Sequence, residues 1–433
     1  CVVLFYSHVP KYLVSPLNSS LWHEFIINLR WDSQHMKGEG FGRDVTWLKS
    51  SSKPQITLNE KRVLRTVEFF GGGGGIAEGI SEACRRFGIV HETYLANEYD
   101  DDLLAIYTAN HQPNFSSSHD ILDYLDPVTP RDFDEEKMKQ NPNKYPATRT
   151  GKMTKRELEF SHKYPGIKNV DLLVGGPPCQ GNSDLNNKSR RVDKKNLLYF
   201  TMLRFSRLFK PKIVIIENVK QVIHSSQEVV QRSQNGFEKL GYSVQTITVK
   251  GSDVGVAQKR ERHFFFASRV GELDLSLLEN GIPEFIANPR TVRWALEGID
   301  ESLLNQDMFN TTANSNSVNK ERMKWLIDND EFELPNHLRP DCHKEGHSYP
   351  AVYGRMYPDR PADTISTGFA SNGQGRFTHP WAKPGRTITP HEAAAIQSFP
   401  EYYQWPASGI GILRTAIGNA VPPLLAVHVS MAA

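Results

Sequence analysis

Residues 67–76 read Val67-Glu68-Phe69-Phe70-Gly71-Gly72-Gly73-Gly74-Gly75-Ile76, and this stretch decides the fold. A mostly apolar run leads into five consecutive glycines, and a helical pattern follows over residues 77–87. Glycine lets the backbone adopt positive φ and approach a ligand closely, and the start of a helix offers free N–H groups. The stretch therefore predicts a β-strand, a ligand-binding glycine loop and a helix. A tight turn without a ligand is the alternative that it leaves open.

The pattern of strand and helix continues on the C-terminal side of the glycine loop. β-rich runs at 171–174 and 213–216 flank a helical segment around 197–209. Such alternation predicts an α/β domain with a parallel sheet covered by helices. The predicted organisation is a remnant of an upstream β-rich module at 1–60, a main α/β domain at 61–270 with an exposed polar insertion at 132–168, a smaller irregular domain at 271–350, and the last part of the main domain at 351–433.

Composition excludes little. The 51 Lys and Arg residues almost balance the 49 Asp and Glu residues, so net charge neither requires nor excludes a polyanionic partner. No apolar run approaches the length that spans a bilayer, so no membrane partner is expected. The four cysteines, Cys1, Cys84, Cys179 and Cys342, form no CxxC pair, which argues against a disulfide framework. The chain starts without Met inside an apolar run, so we expect a piece of a longer protein.

Carboxylates follow the next two positions where strands are expected to end. Glu98 follows the run 93–96 and Asn97, and at this position it could bind the two hydroxyls of a ribose. Asp120 precedes Ile121 and could accept a hydrogen bond from the amine of an adenine. An exposed loop carboxylate is the alternative for Asp120.

Cys179 is the candidate nucleophile. It follows the run 171–174 on a Gly-Gly-Pro-Pro turn, which argues against a place inside a core strand. The next strand-like run ends at Glu217, so a thiol and a carboxyl group are expected at the same edge of the sheet. A buried Glu in such a pocket can stay protonated and donate to a ring nitrogen, whereas a helix N-cap is the alternative.

Two arginines precede the strand-like run 263–267. Arg260 and Arg262 alternate with Glu261, so their guanidinium groups are expected on one side of an extended chain. Carbonyl or phosphate oxygens would suit them, and a surface salt-bridge ladder is the alternative.

Taken in order, these segments resemble the DNA (cytosine-5) methyltransferase family, and the resemblance covers residues 67 to about 430. Two further stretches resemble the last two motifs of that family: Arg386-Thr387-Ile388-Thr389-Pro390-His391-Glu392-Ala393-Ala394-Ala395-Ile396-Gln397-Ser398-Phe399-Pro400 and Ile417-Gly418-Asn419-Ala420-Val421-Pro422-Pro423. The resemblance implies a class I S-adenosylmethionine-dependent methyltransferase fold. That fold is Rossmann-like, with a mixed, mostly parallel seven-stranded sheet and a smaller irregular target-recognition domain, here 271–350.

The resemblance also implies the role of each motif residue. Cys179 would add to C6 of a cytosine flipped out of double-stranded DNA, while Glu217 acts at N3 and Arg262 at O2. Arg260 would contact the backbone or order the pocket. S-adenosylmethionine would give its methyl group to C5 and leave as S-adenosylhomocysteine. The residues implied to bind the cofactor are Phe70, Gly72, Gly74, Gly75, Glu98, Tyr99, Asp120, Ile121, Pro178, Leu198, Asn419 and Val421.

Finer expectations rest on the segment Tyr353-Gly354-Arg355-Met356 and on the β-rich N-terminal remnant, which resemble the eukaryotic branch of the family. They imply a fungal or plant enzyme, a bromo-adjacent-homology-like upstream module, a nuclear location, epigenetic silencing, and chromatin proteins or histone tails as partners. The alternatives are a catalytically silent chromatin-binding homologue and the tRNA-methylating branch, whose Cys-Phe-Thr motif is absent. His337, Cys342, His343 and His347 match no strong zinc pattern, so no metal is predicted.

Overall fold

The structure is a computed structural model that describes residues 42–55, 62–125, 154–178, 198–225, 228–344 and 351–433. The chain divides into two compact units, residues 1–50 and residues 51–433. In the first unit, residues 42–48 are helical, which differs from the β-rich character predicted for 1–60. The strand-like runs predicted before residue 42 lie outside the described residues.

A seven-stranded sheet organises the second unit. Its strands are β1 (Arg62–Phe69), β2 (Ile89–Asn97), β3 (Phe115–Ser117), β4 (Leu172–Gly175), β5 (Ile213–Val219), β6 (Ser243–Lys250) and β7 (Glu261–Ser268). Their spatial order is β3-β2-β1-β4-β5-β7-β6. Strands β1 to β5 pair in parallel, whereas β7 runs antiparallel between β5 and β6. The predicted mixed, mostly parallel sheet is confirmed, and the carboxyl ends of β1 to β5 share one edge with the start of β7.

Helices connect and cover the strands. They are α1 (Gly75–Arg86), α2 (Asp101–His111), α3 (Lys155–Lys163), α4 (Tyr199–Phe209), α5 (Val229–Lys239), α6 (Ser276–Asn280), α7 (Pro283–Ala287), α8 (Val292–Leu296), α9 (Ser317–Asp328), α10 (Pro390–Ile396), α11 (Ile410–Asn419) and α12 (Pro423–Ala432). Helix α1 packs closely on α12, because a Cβ atom added to Gly79 would lie 2.4 Å from the Cβ of Ala426. This contact ties the C-terminal helix to the helix that follows the glycine loop.

The predicted exposed insertion at 132–168 is wrong for the part that the structure describes. Phe160, Tyr164 and Ile167 are each at most 2% exposed and belong to the main hydrophobic core. Helix α3 is amphipathic: Phe160 and Glu157 are buried, with Glu157 paired to Arg204 and Arg207, whereas its other charged residues face solvent. Residues 132–153 lie outside the described residues.

The segments after β7 differ from the strand–helix alternation. The described residues 271–344 contain helices and turns but no strand, in agreement with the irregular pattern of the sequence. Residues 351–433, predicted to be the last part of the main α/β domain, contain no strand. The described residues there form helices and isolated bridges, such as Thr378 with Arg355 and Thr387, because prolines and turns interrupt the extended runs. The division of residues 61–433 into domains stays a prediction.

One stretch, Ile410–Ala432, has the length and hydropathy of a membrane span, contrary to the sequence-based expectation that none would. The chain breaks this stretch into α11 and α12 at residues 420–422. Most of it is buried inside the protein, so we interpret it as two core helices.

Candidate active site

A cavity of about 1100 Å³ opens at the edge of the sheet where β1 to β5 end. It brings together segments that are far apart in sequence, from the glycine loop to the loop between α11 and α12. The predicted site residues on its wall are Phe70, Gly72, Gly75, Glu98, Tyr99, Asp120, Ile121, Pro178, Leu198, Glu217, Arg260, Arg262, Asn419 and Val421.

The glycine loop leaves β1 through a turn with positive φ angles. Phe70 has φ 58° and Gly72 has φ 52°, values that side chains rarely adopt. The N–H of Gly72 donates to Glu98 Oε2 at 2.8 Å, so the carboxylate after β2 holds the loop. A backbone with positive φ at the cavity wall is typical of a ligand-binding turn.

The adjoining wall carries the residues predicted to bind ribose and adenine. Burial raises the pKa of Glu98, although N–H groups of neighbouring residues oppose the shift. Asp120 Oδ1 accepts from Leu122 N at 2.9 Å and so caps the turn that begins at Ile121. Tyr99 is 74% exposed, whereas Ile121 is buried. The aromatic ring and the aliphatic side chain both line the cavity, where a planar ring could lie between them.

Gly74 is the exception among the predicted cofactor residues, because the structure does not place it on the cavity wall. It has φ 84°, and a Cβ atom there would lie 2.6 Å from both His111 Nε2 and the hydroxyl of Tyr403. Gly74 therefore faces the protein interior, and its glycine is required by backbone conformation and close packing.

The cavity wall also holds a carboxyl group and a guanidinium group side by side. Glu217 lies near the end of β5, and Arg262, at the start of β7, pairs with Val219 in the antiparallel register. Arg262 Nε donates to Glu217 Oε1 at 2.7 Å. Burial raises the pKa of Glu217, and the charges of Arg262 and Arg260 oppose that rise. The carboxyl group can therefore hold a proton when a ligand replaces part of the arginine contact.

Asn218 positions the turn that leads to the predicted nucleophile. Its side-chain Nδ2 donates to the carbonyl of Pro177 at 3.1 Å, and Pro178 lines the cavity. The sequence analysis did not identify Asn218, although it stands beside Glu217. Cys179 itself and the basic loop that follows it lie outside the described residues.

Arg260, predicted as a catalytic residue or as one that orders the pocket, lines the cavity and directs both terminal guanidinium nitrogens to main-chain carbonyls. Its side chain is 1% exposed and donates to three main-chain carbonyls: Ile365 at 2.8 Å, Gly418 at 3.0 Å and Asn419 at 3.3 Å. Arg260 therefore fastens the loop between α11 and α12 to the segment before β7. These contacts support the pocket-ordering role, and a direct catalytic role stays a prediction.

A metal centre has no support among the residues that the structure describes, where no group of three or more His, Cys, Asp or Glu side chains is placed to bind an ion. His347, one of the four residues considered from sequence, lies outside them.

The residues of the cavity fit S-adenosylmethionine. Glu98 and Asp120 offer carboxylate oxygens to hydroxyl and amine donors. Glu98 sits against the glycine loop, and nothing lies within 4 Å of a Cβ atom built on Gly72, so that part of the loop is open to the cavity. The fold and this site together define a class I S-adenosylmethionine-dependent methyltransferase.

Comparison with known proteins identifies the family. The family model for C-5 cytosine-specific DNA methylase matches residues 125–432. The chain is 37% identical to the Type II methyltransferase M1.BsuMI of Bacillus subtilis, over 89% of this chain and 84% of that protein. It is 34% identical to the Type II methylase M.HgiDII of Herpetosiphon aurantiacus, over 62% and 76%. The S. pombe Dnmt2 methyltransferase has a similar fold, with a TM-score of 0.54, 16% identity, and coverage of 85% and 98%.

The chain therefore belongs to the C-5 cytosine-specific DNA methylase family. It is a DNA (cytosine-5) methyltransferase that uses S-adenosylmethionine as its cofactor and DNA as its substrate. The predicted eukaryotic branch is not confirmed, because both relatives named above are bacterial enzymes.

Proposed function

We propose that this chain methylates C5 of a cytosine flipped out of double-stranded DNA, through a transient bond between Cys179 and C6 of the base. What supports the proposal is the Glu217–Arg262 pair, which lines the same cavity as the glycine loop and as Pro178, the residue before Cys179. When bound, S-adenosylmethionine supplies a methyl group on a positively charged sulfur.

The protein's part in the reaction is to make a poor nucleophile reactive. C5 of cytosine has little nucleophilic character until C6 is saturated. The Cys179 thiolate forms a bond to C6, and the electron pair of the C5–C6 double bond moves into the ring. Glu217 gives a proton or a hydrogen bond to N3, and Arg262 donates to O2, so both stabilise the added electron density.

The covalent bond is released after the methyl group has moved. C5 takes the methyl group, a base removes the C5 proton, and the C5–C6 double bond re-forms as the Cys179 thiolate leaves. The enzyme returns to its starting state with one cytosine methylated. The pairing of Glu217 with Arg262 at 2.7 Å keeps both groups in place before the base enters.

A mechanism-based substrate tests this proposal. Duplex DNA that contains 5-fluorocytosine cannot lose fluorine in the last step, so with S-adenosylmethionine it should form an adduct that survives denaturing electrophoresis. Cys179→Ala should form none. Cys342→Ala is the matched control, because Cys342 is exposed and free, and it should form the adduct as the wild type does. If Cys179→Ala still transfers labelled methyl groups to DNA, the covalent route through this sulfur is wrong.

The same assay separates the two alternatives. A catalytically silent chromatin-binding homologue would bind DNA but give neither adduct nor labelled product, and a tRNA enzyme would label tRNA in preference to duplex DNA. The similarity to Type II enzymes favours a DNA-modification methyltransferase of the bacterial kind. The eukaryotic origin, nuclear location, silencing role and chromatin partners rest on the resemblance of short segments alone and stay predictions.

A further inference from the structure

A buried polar cluster lies behind the glycine loop, on the side away from the cavity. It consists of Glu78 in α1, His111 at the end of α2, and Tyr402 and Tyr403 from the turn after α10. The hydroxyl of Tyr403 donates to the carbonyl of Gly73, at a short distance of 2.5 Å. His111 Nε2 lies 3.1 Å from the carbonyl of Gly74 and 3.2 Å from the Tyr403 hydroxyl.

These contacts define the protonation of His111. A carbonyl oxygen only accepts, so the hydrogen on the ring is at Nε2 and Nδ1 carries a lone pair. Burial also lowers the pKa of His111 well below its usual value, which keeps the ring neutral. His111 and Tyr403 thus act as two donors fixed behind the loop, one for each carbonyl.

Close packing restricts the glycine loop on this side. Gly74 already needs a positive φ, and no side chain fits between it and the two rings. Because the carbonyls of Gly73 and Gly74 point into the cluster, the peptide planes of the loop are fixed. That orientation decides where the loop's N–H groups and its cavity-facing surface lie.

The rest of the cluster surrounds the buried side of His111. Tyr402 donates to Glu78 Oε1, and Lys53 Nζ lies 3.6 Å from Glu78 Oε2 and donates to the carbonyl of Asn110 at 3.2 Å. Among the described residues, neither Glu78 Oε2 nor His111 Nδ1 has a hydrogen-bond partner, and the two atoms are 4.0 Å apart. Burial raises the pKa of Glu78, although the charge of Lys53 and the hydrogen bond from Tyr402 oppose the rise.

We infer that His111 and Tyr403 are positioning residues for the cofactor: by holding the Gly73 and Gly74 carbonyls from behind, they set the shape of the loop that receives S-adenosylmethionine. They do not touch the substrate base. Their loss should weaken cofactor binding while leaving the chemistry of the bound complex unchanged. The inference rests on the proposed function in one respect, the location of the cofactor at this loop.

The test makes the same substitution, Tyr to Phe, at the cluster and at a control position. Tyr403→Phe removes the hydroxyl that donates to Gly73, and Tyr242→Phe removes a hydroxyl that donates to the carbonyl of Pro211 at 2.8 Å. Both tyrosines are 4% exposed, but Tyr242 is not on the cofactor loop. The readout is the calorimetric Kd for S-adenosylhomocysteine with the full chain, followed by kcat and KM for S-adenosylmethionine and for DNA.

We expect Tyr403→Phe to raise the Kd for S-adenosylhomocysteine and the KM for S-adenosylmethionine roughly tenfold, in line with one lost buried hydrogen bond. The kcat at saturating cofactor and the KM for DNA should stay within about twofold of wild type. His111→Leu should behave like Tyr403→Phe, whereas His111→Gln, which keeps a donor, should recover part of the affinity. Tyr242→Phe should leave the Kd unchanged.

Two outcomes overturn the inference. If folded Tyr403→Phe and His111→Leu bind S-adenosylhomocysteine as tightly as wild type, the loop needs no support from the cluster. If Tyr242→Phe weakens binding as much as Tyr403→Phe does, the effect is general destabilisation. A wild-type protein that binds no S-adenosylhomocysteine would instead refute the placement of the cofactor, and with it the proposed function.

Discussion

Arg260 and Arg262 are only two residues apart, but their replacement by Met should have different effects. Arg260→Met should mainly lower stability, and Arg262→Met should mainly lower the rate of methyl transfer. Arg260 is completely buried and donates to the carbonyls of Ile365, Gly418 and Asn419. Each hydrogen bond from a charged group contributes about 1.5–3 kcal/mol, and the contributions are not additive. Arg260→Met leaves carbonyls without a donor, so we expect a loss of about 3–5 kcal/mol in the free energy of unfolding.

Arg262→Met should cost less stability and more activity. Its main partner is Glu217 at 2.7 Å, and that carboxyl can take up a proton when the guanidinium is removed, since burial already raises its pKa. We expect a loss of at most about 2 kcal/mol in stability. If Arg262 stabilises the charge on the base, the rate of methyl transfer should fall about a hundredfold or more.

Urea denaturation of the two variants measures the free energy of unfolding. Single-turnover methyl transfer at saturating cofactor and DNA measures the catalytic rate. Far-ultraviolet circular dichroism verifies that each variant is folded at the assay temperature. The reasoning is refuted if Arg260→Met keeps the wild-type free energy of unfolding but loses methyl transfer, because Arg260 would then act on the base. It is also refuted if Arg262→Met transfers methyl groups at the wild-type rate.

Two further predictions concern the pH dependence of stability. Burial raises the pKa of Glu68 to about 8 from 4.5. Between these two pH values the folded chain holds a proton that the unfolded chain releases, so the free energy of unfolding of the wild type should fall as the pH rises from 4.5 to 8. Glu68→Gln should flatten this fall in urea titrations at several pH values, and equal slopes would contradict the assignment. Burial alone would raise the pKa of Glu392, but hydrogen bonds from Arg386 and His379 lower it to about 2 from 4.5, worth about 3 kcal/mol at neutral pH. That stability is present above pH 4.5 and lost as the pH falls through 2, so Glu392→Gln should be less stable at pH 7 and less sensitive to acid; unchanged stability at pH 7 would be the contrary result.

Local signals in the sequence predicted the sheet and several side chains of the cavity wall. Each of these signals closely follows a strand-like run: the glycines follow one run, Glu98 follows the next, and Glu217 follows a later one. Parallel strands bring their carboxyl ends to one edge of the sheet. The class of fold and the positions of these side chains therefore followed from short-range patterns. The family followed from the order of the motifs.

Tertiary structure alone decided which groups contact each other. Tyr403 and Arg260 reach Gly73 and Gly418 across 330 and 158 residues of chain, and no local pattern marks such partners. It also placed Gly74 in the interior and not on the cavity wall, and it buried one face of α3, which had been predicted to be exposed. The physical reason is that burial and hydrogen bonding depend on which segments the completed sheet and helices bring together, whereas strand and helix periodicity depends on neighbours in sequence.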